Sequence, residues 1–390
     1  MKDSPLRIAF VQSDDARNVR SWSGTLFFTK KIIERYIGQV VDLTPAPINL
    51  LPYRTIRKAV RAVSRKRYSF YHDPALARRY GRYFSGLLER EPHDLVFSPG
   101  GSNIIPYLRT DAPIIYYSDA TWRAVRDYYT DFSNVIGRTD RGGDELERMA
   151  IDRASIILYA SQWAADSAIN DYGADPAKVN VTYIGANLID PPTRESVLPR
   201  AIGEEIRLLM VGVSWEIKGG AIAYEALLKL LELGHNARLT VVGCNAPEGV
   251  SHPRMEVIPF LNKQIPHERE RFEGLWRDAD FFILPTRFEA AGLVFCEAGA
   301  YGLPAIATRT GGVPSLVREG RNGFTLPHEA RGDAYAALIA GLAADRDRYA
   351  RLCLSSREEY ETRLNWDTWG ERLAGIVRER LPQFAGRLRC

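Results

Sequence analysis

Two glutamates eight residues apart, Glu289 and Glu297, lie in the stretch LPTRFEAAGLVFCEAGAYGLPAIATRTGGVP, residues 284–314. An ionised carboxylate accepts hydrogen bonds only, so it suits sugar hydroxyls. Between the two, Ala290, Ala291 and Gly292 let a ligand approach the backbone closely. The apolar run ending at Pro285 reads as a strand, and a helix opens after Gly292. The amides of Ala291, Gly292, Leu293 and Val294 then sit at a helix N-terminus, where an anion is favoured. If the span were helical, eight residues would rise about 12 Å. That is the order of a diphosphate bracketed by two polyols, with one carboxylate for the hydroxyls on each side. Two glutamates at this spacing also arise by chance.

A second patch is LMVGVSWEIKGG, residues 209–220, where a strand ends and Lys218 stands just before a helix. A lysine gains nothing from the helix dipole at that end, which favours anions. Its natural partner is an external phosphate; the other reading is a surface lysine. A third patch, WSGT at 22–25, follows the first strand and places Gly24 where backbone can approach a ligand. A helix-start turn with no ligand fits it equally well.

The elements that must carry these patches alternate along the chain. Apolar, strand-sized runs fall at 8–12, 40–43, 94–98, 113–118, 155–160 and 179–183. A second series follows at 206–213, 237–243, 255–260, 280–285, 304–308 and 323–326. Most lack polar alternation, as strands buried on both faces of a parallel sheet do. Helical patterns lie between them, for example 219–233 ending at Gly234. The alternation predicts an α/β protein with two doubly wound parallel sheets facing one another across a deep cleft, ligands lying at the carboxyl ends of the strands. Residues 187–202, with three prolines and no period, read as the linker. The expected domains are 1–195 and 196–365.

Residues 54–90 hold eleven Lys/Arg against Asp73 and Glu89, a local balance of +9, with Tyr53, Tyr68, Phe70, Tyr71, Tyr80, Tyr83 and Phe84 interleaved. Such a segment grips an anionic membrane or a phosphate-bearing substrate, or is a solvated helix pair with aromatics in the core. The whole chain of 390 residues carries only +4, which gives no argument for nucleic acid. No apolar run reaches the roughly 18–20 residues needed to span a bilayer. The N-terminal MKDSPLRIAFVQSDD is expected to hold no signal-peptide core. Cys244, Cys296, Cys353 and Cys390 are far apart, which fits a reducing cytoplasm. The D-x-D patterns at Asp278–Asp280 and Asp345–Asp347 fall at a helix-to-strand junction and in a helical run, so neither reads as a metal site.

These motifs together resemble the retaining glycosyltransferases of family 4, with their two-Rossmann GT-B architecture. The resemblance rests on ADFFILPTRFEAAGLVFCEAGAYGLPAIATRTGGVPSLVREGRNGF with its E-x7-E pair, on VSWEIKGG, and on ERMAIDRASIILYASQWAADSAINDYGADPAKVNVTYIGAN. It implies transfer of a sugar, a hexosyl group, from a nucleotide-diphosphate sugar to an acceptor hydroxyl with retention, without metal or cofactor. By that resemblance Glu297 holds the ribose hydroxyls, Glu289 contacts the donor sugar, and the amides of Ala291–Val294 hold sugar and diphosphate. Lys218 neutralises the leaving diphosphate, Gly24 lets the first domain approach it, and Phe260 and Leu261 place backbone near the base. Asp119, after the strand IIYYSD, takes the place of a residue near the sugar; capping a helix that begins near Thr121 is its other reading. The resemblance also implies that the last helix, within 366–390, crosses back to the first domain.

Two positions depart from the family pattern. The arginine common after the strand of the phosphate loop is Val213, and Ser315 replaces a frequent acid. The expected chemistry is a same-face substitution, the departing phosphate oxygen helping to deprotonate the acceptor, with Lys218 and helix amides supplying positive potential. The acceptor is expected to be a lipid-linked or surface glycan met at the inner face of a membrane through 54–90, with a soluble small molecule as the alternative. A GT-B sugar-nucleotide epimerase and a two-lobed solute-binding protein are the other classes. A nicotinamide-dependent dehydrogenase would need G-x-G-x-x-G after a first strand, which neither 8–12 nor 206–213 precedes.

Overall fold

Strands that are apolar at every position can satisfy both faces only inside a layered sheet. The computed structural model, which describes residues 4–389, contains two such sheets. The chain divides into two compact units, Met1–Tyr183 with Trp366–Cys390, and Ile184–Asn365.

In the first unit, β1 (Arg7–Phe10), β2 (Gln39–Asp42), β3 (Leu95–Pro99), β4 (Ile114–Ser118), β5 (Ile156–Tyr159) and β6 (Val179–Val181) lie in the order β2-β1-β3-β4-β5-β6. Every pairing is parallel. The central strands β3, β4 and β5 are buried along their whole length, whereas the edge strands β2 and β6 are half-exposed. The helix Trp366–Arg380 groups with this unit. Trp366 stacks on Phe28, and Trp369 meets Phe97 and Tyr117 edge-on. Gly370 lets the helix close on Tyr36 and Ile32: a Cβ there would come within 2.5 Å of the Tyr36 ring.

In the second unit, β7 (Ile206–Val211), β8 (Ala237–Val242), β9 (Met255–Ile258), β10 (Phe281–Leu284), β11 (Ala305–Thr308) and β12 (Gly323–Leu326) lie in the order β12-β11-β10-β7-β8-β9. They too are all parallel. The chain builds outward from β7 through β8 to β9, then returns to the other side of β7 with β10. The strand order therefore reverses between β7 and β10, where Phe281 and Phe282 pair with Leu208 and Leu209. In a doubly wound sheet that reversal opens a crevice at the carboxyl ends of the two strands.

The division falls at 183/184, ahead of the expected 195/196. Residues 184–195 are tied to the second unit by their bonds. Cys296 Sγ donates to the Ile184 carbonyl, Ala186 N to the Leu364 carbonyl, and Arg194 pairs with Glu361 at 2.6 Å.

The basic segment resolves into two helices, Leu51–Ser64 and Pro74–Leu88, joined by a short 3-10 turn at Phe70–His72. Tyr68, Phe70, Tyr80 and Phe84 are buried in the core of the first unit. The 51–64 helix has no buried residue, and Leu51, Ile56 and Val63 are exposed on it.

Candidate functional site

Lys218 and Glu289 come from the two loops that leave β7 and β10, the neighbours at the point of strand reversal. Backbone bonds stitch those loops together. Arg287 N donates to the Ile217 carbonyl at 2.8 Å, and Thr286 Oγ1 donates to the Ile217 and Phe288 carbonyls. Gly219 makes the close passage possible. Its φ is +75°, and a Cβ would lie 2.0 Å from the Pro285 carbonyl oxygen. Gly212 leaves room for the Lys218 stem, since a Cβ there would meet Lys218 Cγ at 2.5 Å. The result is a direct ion pair, Lys218 Nζ to Glu289 Oε2 at 2.5 Å, with the carboxylate side chain only 9% exposed.

Glu297 lies in the helix Leu293–Ala300, whose N-cap Gly292 has φ +89°. Glu289 is in the preceding loop, so the span between the two glutamates is not the continuous helix on which a 12 Å rise would depend. A Cβ at Gly292 would press on Phe295 and on Glu289 Cγ, so this glycine lets the loop fold back over the helix start. The Glu289 carbonyl accepts from Gly312 N, which ties the loop to the segment after β11. Ala290 and Ala291 are buried, while Gly292, Leu293 and Val294 are half-exposed, leaving first-turn amides near solvent at a helix N-terminus.

The side chain of Glu297 is 4% exposed and pairs with Lys263 Nζ at 3.0 Å. Sequence reasoning misses Lys263 as a site residue. It sits in the loop after β9, next to Phe260 and Leu261. An Asx turn shapes that loop: Gln264 N donates to Asn262 Oδ1, and Asn262 N to Glu268 Oε2. Lys263 also lies over the Phe272 ring at 4.6 Å. Phe260 is exposed and Leu261 half-exposed beside it. The only sequence signal is a lysine two residues beyond the expected base-contacting pair.

Each glutamate of the E-x7-E pair is thus a buried carboxylate paired with a lysine. Breaking such a pair strands a charge in a desolvated place, so a ligand that displaces either lysine must itself supply the missing partner. A diphosphate attracts Lys218, and hydroxyl groups can then satisfy Glu289.

Val213, where the family has an arginine, is 81% exposed. Arg287 reaches the same loop through its backbone bond to Ile217, but its guanidinium turns to His328 Nδ1 at 2.6 Å. Ser315 lies in the one-turn helix Val313–Leu316 after β11, and its carbonyl accepts from Arg363 at 2.6 Å. Of the D-x-D residues, Asp280 is buried against Arg207 at 3.0 Å and Asp345 caps the helix Arg346–Thr362.

Gly24 and Asp119 belong to the first unit, as do the strands they follow, β1 and β4, which flank β3. Trp22, Ser23 and Gly24 all have positive φ, and Gly24 starts the helix Thr25–Tyr36. Left-handed backbone is costly for tryptophan and serine. Trp22 Nε1 donates to Asp119 Oδ2 at 3.2 Å and its ring lies against Tyr117. Asp119 does not cap the next helix. Thr121 does, accepting from Ala124 N through its hydroxyl. Below it, Glu147 is fully enclosed and accepts from Tyr116 OH at 2.9 Å. Burial pushes its carboxyl up to about 8.

Residues 205–345 match the family of glycosyl transferases group 1. A D-inositol 3-phosphate glycosyltransferase of Corynebacterium kroppenstedtii is 24% identical over 253 residues, covering 60% of this chain and 55% of that protein. A second, from Gordonia bronchialis, is 27% identical over 261 residues, covering 62% and 56%. The chain therefore spans little more than half the length of the curated relatives it matches. Among solved structures, sucrose-phosphate synthase of Thermosynechococcus elongatus superposes with a TM-score of 0.66 at 14% identity, covering 97% of this chain and 100% of that one. The HepE protein of Anabaena, solved with UDP-glucose, gives 0.61 at 14% identity, covering 96% and 100%. At such identities the likeness is one of fold, and that fold is GT-B.

Proposed function

We propose that this chain, whose residues 205–345 match the group 1 glycosyl transferases, moves a sugar from a nucleotide-diphosphate donor to an acceptor hydroxyl with retention at the anomeric carbon. The observation that carries the reading is the pairing of Lys218 with Glu289 across the loops of β7 and β10, where the sheet order reverses. The names of the relatives favour glycosyl transfer, and the UDP-glucose bound to the Anabaena protein favours a nucleotide sugar as donor.

In this reading the diphosphate draws Lys218 away from Glu289, and Glu289 turns to the sugar hydroxyls. Glu297 exchanges Lys263 for the ribose hydroxyls. The anomeric C–O bond to the diphosphate breaks and the bond to the acceptor oxygen forms on the same face. The acceptor proton passes to the departing phosphate oxygen. Lys218 and the amides of the 293–300 helix stabilise the charge that develops there, so no metal or cofactor enters a step.

For the acceptor, the reading is a lipid-linked or surface glycan met at the cytoplasmic face of a membrane. The 51–64 helix supports it, since Leu51, Ile56 and Val63 share an exposed helix with Arg54, Arg57, Lys58 and Arg61. A soluble phosphorylated polyol is the second reading, favoured by the inositol 3-phosphate in the names of the matched relatives. The test is NMR of the product formed from nucleotide sugars of known anomeric configuration, in chelator-treated buffer. The donor's configuration should persist in the product. An inverted linkage would overturn the retaining mechanism, and turnover restored only by a divalent cation would overturn the metal-free one.

A further inference from the structure

The geometry points to a phosphate-ester site in the first unit, in the cavity between the 51–64 helix and residues 67–71 and 131–132. The cavity measures about 760 Å³. Arg57, Lys58 and, one turn further along the helix, Arg61 line one side, and Arg67 lines another. Among the described residues a single carboxylate reaches this space, Asp131, and it is committed to Arg67 at 3.0 Å. Arg57, Lys58 and Arg61 have no carboxylate in ion-pair range among the described residues. Arg61 donates to the Arg65 carbonyl, and Arg57 lies over the Phe70 ring at 5.4 Å. Three like charges around one cavity repel one another, and an anion with several acceptor oxygens relieves that repulsion.

The wall is built rather than incidental. Tyr68 OH donates to Asp73 Oδ2 at 2.5 Å, and Arg138 grips both oxygens of Asp73. Asp73 also caps the 74–88 helix through Ala75 N. Arg67 is fixed by backbone bonds to Asn134 and Ile136. Phe70, Tyr71 and Phe132 give the cavity an aromatic side. Cations facing aromatics suit a phosphate attached to a ring or glycerol, whose C–H faces pack on the rings. The source is either a phospholipid headgroup or a free phosphate ester. The anion affinity stands by itself; its meaning as part of the acceptor site rests on the proposed function.

The test measures two probes on the full chain. Glycerol 3-phosphate is titrated by calorimetry at constant ionic strength. Sedimentation is followed with phosphatidylglycerol–phosphatidylcholine vesicles and with phosphatidylcholine alone. Two triple variants are compared: Arg57→Gln with Lys58→Gln and Arg61→Gln, and Arg346→Gln with Arg351→Gln and Arg372→Gln, which removes the same charge from exposed positions elsewhere. The first should weaken glycerol 3-phosphate binding at least tenfold, and the second should change it less than twofold. Binding of the soluble probe without anionic vesicles assigns the site to a free ester; binding of both assigns it to a headgroup. Equal weakening by both triples, or vesicle binding with no affinity for glycerol 3-phosphate, overturns the pocket. If the pocket holds but no acceptor is glycosylated, the proposed function fails and the site survives.

Discussion

Replacing Lys218 by methionine keeps the stem beside Gly212 and removes the cation that faces Glu289. At 2.5 Å and an effective dielectric of about 20, the pair's attraction is about 7 kcal/mol before desolvation is counted. Most of that is offset by taking both ions out of water. What remains exposed to mutation is a carboxylate, 9% accessible, that has lost its cation, for which about 3 kcal/mol is a reasonable cost. Glu289→Gln should cost less, about 1 kcal/mol, because Lys218 is 19% accessible and can turn its ammonium to water. The double variant strands no charge, so it should be more stable than the sum predicts by about 2 kcal/mol. Urea titration of the second unit's transition reads these values. For a unit of this size, Lys218→Met should also lower Tm by roughly 6–12 °C. A coupling energy below about 0.5 kcal/mol, the limit of ordinary additivity, would show that the pair does not hold in solution.

Two further outcomes follow from particular contacts. Glu147 has a folded-state carboxyl raised to about 8 from 4.5, so the folded protein holds a proton that the unfolded chain has released. Its contribution is fully favourable below about pH 4.5 and is lost as pH rises towards 8, at about 1.4 kcal/mol for each pH step of one. Glu147→Gln keeps an acceptor for Tyr116 and should flatten Tm between pH 5 and 8 by several degrees; parallel wild-type and variant curves would contradict the assignment. Gly219 and Gly234 both have positive φ, but only Gly219 faces a backbone oxygen where a Cβ would go. Gly234→Ala should cost about 1 kcal/mol, the left-handed penalty alone. Gly219→Ala should cost clearly more in the same denaturation assay, and equal costs would mean that the β7 and β10 loops are not as close as described.

The twelve strands are legible because burial on both faces writes continuous apolar runs, as in FFIL and IIYYS. Even their grouping into two sixes follows from the proline-bearing 187–202 segment, although the bonds of Ile184, Ala186 and Arg194 move the division upstream. Lys218 is legible for a local reason: a cation at a helix start lacks a helix partner. Lys263 is not, because its partner lies 34 residues away and only the fold of the β9 loop brings it to Glu297. The 12 Å rise between Glu289 and Glu297 does not apply, because the helix begins only after Gly292, as the sequence itself suggests, and Glu289 lies in the loop before it. Strand order is equally hidden, and strand order is what puts the β7 and β10 loops side by side. In the first unit, the Trp22–Asp119 bond needs a left-handed backbone that tryptophan rarely adopts.

In the proposed function Glu297 and its neighbours bind a nucleotide diphosphate. A thermal-shift titration of the metal-free protein with UDP, GDP, ADP, CDP and TDP, beside Glu297→Ala, tests this binding. A ligand at about 100 times its Kd stabilises by about 2.7 kcal/mol, a shift of several degrees. One nucleotide should raise Tm in the wild type and lose the effect in Glu297→Ala. No shift with any of them, with or without Mg²⁺, or an equal shift in the variant, would contradict the claim.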